Sequence, residues 1–175
     1  DPDSDTWTQK ADFGGGITGF TVSFSISSKG YIGTGYDWTN MYKDFWEYDP
    51  ATNIWTQKAD FGGTARFGSV GFSIGSKGYI GTGKDSTGYT QDFWEYDPFT
   101  DSWTQKANFG GSARRYAAGF SIGSKGYIGT GETGWGGPYY QDFWEYDTIS
   151  NSWTQKADFG GTARSMAVGI SIGGK

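Results

Sequence analysis

The chemistry open to this sequence lies in its arginines, carboxylates and loop aromatics. Arg66, Arg114 and Arg164 recur at one register. The five fixed donors of a guanidinium suit either an acidic or carbonyl-rich ligand or the carbonyls of the arginine's own loop, and both readings stand. Arg115 has no counterpart at the matching positions, which favours a ligand. Variable loops carry Tyr36, Asp37 and Trp38, then Tyr89, then Trp135 and Tyr139. Aromatics beside Asp, Asn and Arg can stack on sugar rings or anchor a protein partner. Alternatively they fold back as local packing, following the habit of aromatics to bury. Glu132, Asp37 and Asp85 could serve acid/base work, but glycoside hydrolysis needs a carboxylate pair at a defined separation, and no spacing here sets one. Glu47, Glu95 and Glu145 recur identically, and a catalyst is not needed once per repeat, so they read as structural partners of lysines or backbone donors.

Other chemistry is excluded by composition. The 175 residues include no His and no Cys, which removes thiol nucleophiles, Ser-His-Asp triads and zinc or copper sites built on imidazole or thiolate. No cofactor is expected. Asp1-Pro2-Asp3-Ser4-Asp5 has the alternate carboxylates of a calcium loop without its Gly or distal Glu, and reads as a turn. The run from Gly30 to Gly35 lacks the helix and the Lys of a phosphate loop. A net charge of −5 argues against nucleic acid, which needs a basic face. No apolar run approaches the roughly 20 residues that cross a bilayer.

Positioning falls to a repeat. Trp-Thr-Gln-Lys-Ala recurs from Trp7, Trp55, Trp103 and Trp153, at spacings of 48, 48 and 50 residues. Asp-Phe-Trp-Glu-Tyr-Asp recurs from Asp44, Asp92 and Asp142, and Lys-Gly-Tyr-Ile-Gly-Thr-Gly from Lys29, Lys77 and Lys125. In the second unit, Phe67 to Ile74 alternates at the period of a strand. Tyr79 to Thr82, Phe93 to Tyr96 and Ser102 to Lys106 follow, separated by turn residues. We label these strands A to D. Four antiparallel strands in about 48 residues make a propeller blade. A blade this small must stack on neighbours, so the Trp, Phe and Tyr repeated on B, C and D are expected to form inter-blade core. Reversal at every strand puts the D–A connection and the B–C loop on one face.

The predicted class is therefore all-β, a β-propeller of four-stranded antiparallel blades with about three and a half present: strand D at 1–10, blades at 16–58, 64–106 and 112–156, and strand A at 162–175. Propellers typically have 4 to 8 blades. The chain, which opens on Asp1 rather than Met, is thus expected to be a piece of a longer protein. Open strand edges predict self-association or pairing with further blades.

The sequence resembles the kelch family of β-propellers. The likeness rests on the Arg early in strand A, the Tyr-Ile-Gly-Thr-Gly stretch of strand B, and a Tyr followed seven residues later by Trp, as at Tyr48 and Trp55, Tyr96 and Trp103, and Tyr146 and Trp153. It departs in having Gly-Thr-Gly where the family has a Gly-Gly doublet, and in Thr18 where the other units carry Arg. The resemblance implies a non-enzymatic interaction module, secreted or on the cell surface as in bacterial kelch-repeat proteins, that binds a protein or glycan. The expected binding residues are Tyr36, Asp37, Trp38, Arg66, Tyr89, Arg114, Arg115, Trp135, Tyr139 and Arg164 on the D–A/B–C face. The family also holds copper oxidases, whose imidazole ligands this chain cannot supply, and sugar mutarotases. A mutarotase-type activity and a purely structural role are the alternatives.

Overall fold

The computed structural model describes residues 3–16, 18–134 and 136–172. Among the described residues twelve strands form three sheets, each a simple antiparallel meander. The first sheet holds β1 (Val22–Ile26), β2 (Lys29–Tyr36), β3 (Met41–Asp49) and β4 (Ile54–Lys58). The second holds β5 (Val70–Ile74), β6 (Lys77–Gly81), β7 (Phe93–Asp97) and β8 (Ser102–Lys106). The third holds β9 (Ala118–Ile122), β10 (Lys125–Gly129), β11 (Phe143–Asp147) and β12 (Ser152–Lys156). Within each sheet the Tyr and Trp seven residues apart are cross-strand partners, as Tyr96 and Trp103 between β7 and β8.

The A strands lie innermost, β1 beside β5 and β5 beside β9. Together with Ala167 to Gly169 they line a channel of about 430 Å³. The hydrophobic core sits between sheets rather than within them. Pleating sends Phe45 to one side of its sheet, where it meets Tyr96 at 4.8 Å and Trp103 at 5.0 Å on the next blade. Phe93 meets Tyr146 and Trp153 at the same two distances. One cluster joins Val22, Tyr31 and Phe45 to Ile80 and Tyr96, and the next joins Val70, Tyr79 and Phe93 to Ile128 and Tyr146. Each fully buried side chain of this size contributes roughly 1.5 to 3 kcal/mol. Close approach of the inner strands explains Gly71 and Gly119, where a Cβ would fall 2.3 and 2.1 Å from the Cγ2 of Val22 and Val70 on the preceding blade.

The terminal segments depart from expectation. Neither 3–10 nor 162–172 is a strand; Trp7 is fully exposed and Val168 nearly so. A strand D needs the strand C of its own blade for its ladder, and a strand A needs strand B; the described residues supply neither partner here. Segment 162–172 still docks like a fourth strand A at its start, with Met166 N donating to Tyr116 O at 3.0 Å.

Candidate functional site at the loop face

The chain enters each strand A through a residue with positive φ: Phe20 at 57°, Gly68 at 64°, Tyr116 at 55° and Met166 at 58°. Only glycine takes that conformation without strain. The other three are held there by backbone bonds running from blade to blade, Gly68 N to Phe20 O at 3.0 Å, Tyr116 N to Gly68 O at 2.8 Å and Met166 N to Tyr116 O at 3.0 Å. One residue earlier, Phe67 and Arg115 bridge to Lys84 and Glu132 at the start of the B–C loops, as Gly19 does to Tyr36. These are the columns at which otherwise similar repeats differ most.

Their side chains converge on a cavity of about 290 Å³ lined by Phe20, Tyr36, Trp38, Met41, Phe67, Lys84, Arg115, Tyr116 and Met166. Tyr36 stacks on Phe67 at 5.2 Å, and its hydroxyl donates to Trp38 O at 2.8 Å. Trp38, at φ 74°, stays 77% exposed and meets Phe20 edge to face at 5.7 Å. Phe20 also contacts Tyr116 at 5.6 Å. Arg115 is buried; its Nη2 donates to Glu132 Oε1 at 2.9 Å, Ser165 Oγ donates to Glu132 Oε2 at 2.7 Å, and its guanidinium lies 4.7 Å from the Tyr116 ring centre. Lys84 is 5.9 Å from the Tyr89 ring and makes no ion pair among the described residues. A broader groove of about 740 Å³ opens alongside, between the first B–C loop and residues 63–65.

The remaining loop carboxylates shape the loops. Asp37 accepts from Tyr42 Oη at 2.5 Å and from the backbone N–H groups of Thr39 and Asn40. The Tyr42 bond first, then those backbone bonds, bring its carboxyl down to about 2. Asp85 is buried, which raises its carboxyl, but bonds from Thr64, Thr87 and Gly88 more than offset this and hold it at about 2.

Of the expected site residues, Tyr36, Trp38 and Arg115 line the cavity and Tyr89 stands at its edge. Tyr139 is exposed and bridges to Glu132 on the third loop, and Trp135 lies outside the described residues. The expectation for Arg66 and Arg114 is overturned. Both are fully buried, and each forks onto a carboxylate of its own blade: Arg66 Nη1 and Nη2 reach Asp92 at 2.5 and 2.8 Å, and Arg114 reaches Asp142 at the same distances. Further donors reach Thr82 O and Thr64 O, or Thr130 O and Ser112 O, so neither guanidinium has a face left for a ligand. Arg164 is exposed, bonded to Thr162 and lying 5.0 Å from the Phe159 ring centre, away from the loop cavity. Glu47, Glu95 and Glu145 accept from Tyr31, Tyr79 and Tyr127, in keeping with a structural role. Phe20, Met41, Phe67, Lys84, Tyr116 and Met166 escaped the sequence reading; for all but the B–C loop residues Met41 and Lys84, the available signal was that the two residues after the repeated arginine position change chemical class from repeat to repeat.

No protein-family model matches the chain, and no curated protein matches it. Solved structures do. The structure of YjhT aligns over 90% of this chain with a TM-score of 0.73 at 21% sequence identity. The fold is that of a partial β-propeller. The chain spans 57% of the length of YjhT, and at this identity the likeness concerns the fold alone.

Proposed function

We propose that the chain is a non-enzymatic interaction module, a kelch-type propeller segment of a secreted or surface protein, that binds a protein or glycan partner through its D–A/B–C loop face. One observation carries the reading: the residues that differ among near-identical blades gather at one aromatic-lined cavity, while the repeated residues are spent on stacking blades. Concave sites lined by aromatics with a few polar groups are the usual form of a binding site. Acid/base catalysis is less well served, because Asp37 and Asp85 are committed to loop turns and Glu132 to Arg115 and Ser165.

The test is to screen the immobilised chain against a glycan array and a displayed peptide library, in parallel with the double variant Trp38→Ala/Tyr116→Ala. The expected result is a ligand bound by the native chain and lost by the variant, with an unchanged melting temperature. Retention of every ligand by the variant would move the binding face elsewhere, and accelerated anomer interconversion of free sialic acid in solution would revive the mutarotase reading.

A further inference from the structure

Blade one keeps the cradle that holds an arginine in the other blades, but not the arginine. In blade two, Trp94 Nε1 donates to Asp92 Oδ2 at 2.8 Å, fixing the carboxylate that receives Arg66, whose guanidinium lies 5.0 Å from the Phe61 ring centre. Blade three repeats this with Trp144, Asp142, Arg114 and Phe109, and adds Tyr140 at 4.0 Å from the guanidinium. In blade one, Trp46 Nε1 donates to Asp44 Oδ2 at 2.7 Å. Phe13 meets Trp46 at 5.9 Å and 71°, against 6.1 Å and 71° for Phe61 with Trp94. A Cβ on Gly15 would sit 2.9 Å from Asp44 Oδ2, and one on Gly63 sits 3.0 Å from Asp92 Oδ2. Carboxylate, aromatic face and the Gly15 or Gly63 position therefore match in the two blades, although the chain leaves the turn differently, through Gly16 at φ 82° where blade two has Thr64; Tyr42 stands where blade three has Tyr140.

What differs is the occupant. Thr18 replaces the arginine, and Gly16 replaces Thr64, leaving a position at which a Cβ would meet nothing within 4 Å. Asp44 makes no ion pair among the described residues. We propose that this cradle is a guanidinium site filled by an arginine side chain of a partner protein. A planar fork matches two carboxylate oxygens and an aromatic face at once. A lysine ammonium offers neither the plane nor the paired donors, and one carboxylate with a ring face is a poor nest for a divalent cation, which takes 6 or more oxygens. None of the cradle residues Phe13, Gly15, Thr18, Tyr42, Asp44 and Trp46 lines the loop cavity, so the two sites are independent.

The probes are N-acetyl-arginine amide, N-acetyl-lysine amide, methylguanidinium and the blocked peptide Gly-Arg-Gly, each titrated at low ionic strength while the Trp46 indole N–H resonance is followed by NMR. The arginine amide should shift that resonance saturably, with the lysine amide about tenfold weaker. Thr18→Arg, which installs the guanidinium in cis as in the other blades, should move the resonance without any ligand, raise the melting temperature and abolish the response. Asp44→Asn should lose the response with the fold intact. Equal binding of the lysine amide would reduce the site to a point charge, persistence of the response in Thr18→Arg would place binding elsewhere, and no saturable shift would show the cradle to be closed; each result overturns the proposal. The peptide binding more tightly than methylguanidinium assigns a protein source, and the reverse excludes one.

Discussion

Arg114 and Arg164 belong to the same repeat position, yet one is sealed in the protein and the other lies in solvent. The difference is Asp142. Burial raises that carboxyl, and bonds from Arg114 and Trp144 bring it below the usual range. Removing one partner of a buried pair strands the other charge, which costs about 3 to 5 kcal/mol. Arg114→Ala should therefore lose stability of that order in urea unfolding, whereas Arg164→Ala, with no carboxylate to strand, should stay within about 0.5 kcal/mol of native. Comparable losses from both variants would mean that the repeat position, rather than the pair, is what stabilises. The same contrast separates the two kinds of arginine that neighbour each other in the chain: Arg114 is structural, while Arg115 holds a side of the loop cavity against Glu132.

Among the elements, the turn between strands C and D also ties blades together. Asn151 Oδ1 accepts from Tyr146 Oη at 2.8 Å within its blade and from Ala107 N at 2.9 Å, where the chain leaves the blade before. Asp101 and Asn53 do the same, and the indole of each strand D returns a bond to the matching alanine carbonyl, as Trp153 Nε1 to Ala107 O at 3.1 Å. Asn151 sits at φ 49°, so glycine is the replacement that removes the oxygen without straining the backbone. Asn151→Gly should cost about 2 kcal/mol, two hydrogen bonds at roughly 1 kcal/mol each, measured by thermal unfolding. A neutral result would show that water replaces the clasp.

At the scale of the molecule, stability comes from blade meeting blade, and two faces have no partner blade among the described residues. At the front of the third blade Tyr127 stacks on both Phe120 and Phe143, and these two border a cavity of about 400 Å³ with Phe159 and Val168. Tyr48 and Trp55 stand at the back of the first. Inside the molecule these same two kinds of surface meet, as Phe93 does Tyr146. Apolar patches rimmed by polar residues mark association sites. The chain should therefore self-associate as its concentration rises in sedimentation velocity, and Phe143→Arg should weaken that association without lowering strand content. A single boundary at the monomer value throughout the concentration series would sink the idea.

How much of this was legible in advance follows from the range of the forces involved. Alternation, turn residues and a repeat of about 48 residues are local, and they determined the strands, the blade and its meander; Ser102–Lys106 lies where the turn residues before it put it. Repetition also identified the core, because a residue such as Phe45, Phe93 or Phe143 that returns in every unit must answer to a neighbour that returns with it. Strand character at 3–10 and 162–172 was not determined, since a ladder needs a second strand that no residue within the segment can supply. Nor were the arginine roles, because five donors satisfy a ligand or a buried carboxylate equally well until burial decides between them. Phe20 and Tyr116 stand 96 positions apart and become neighbours at 5.6 Å only because successive blades turn about one axis. The sequence alone thus determined the blade and what stacks blades together; the stacking itself decided which variable residues share a cavity, and which of the repeated aspartates, Asp92 and Asp142, hold an arginine.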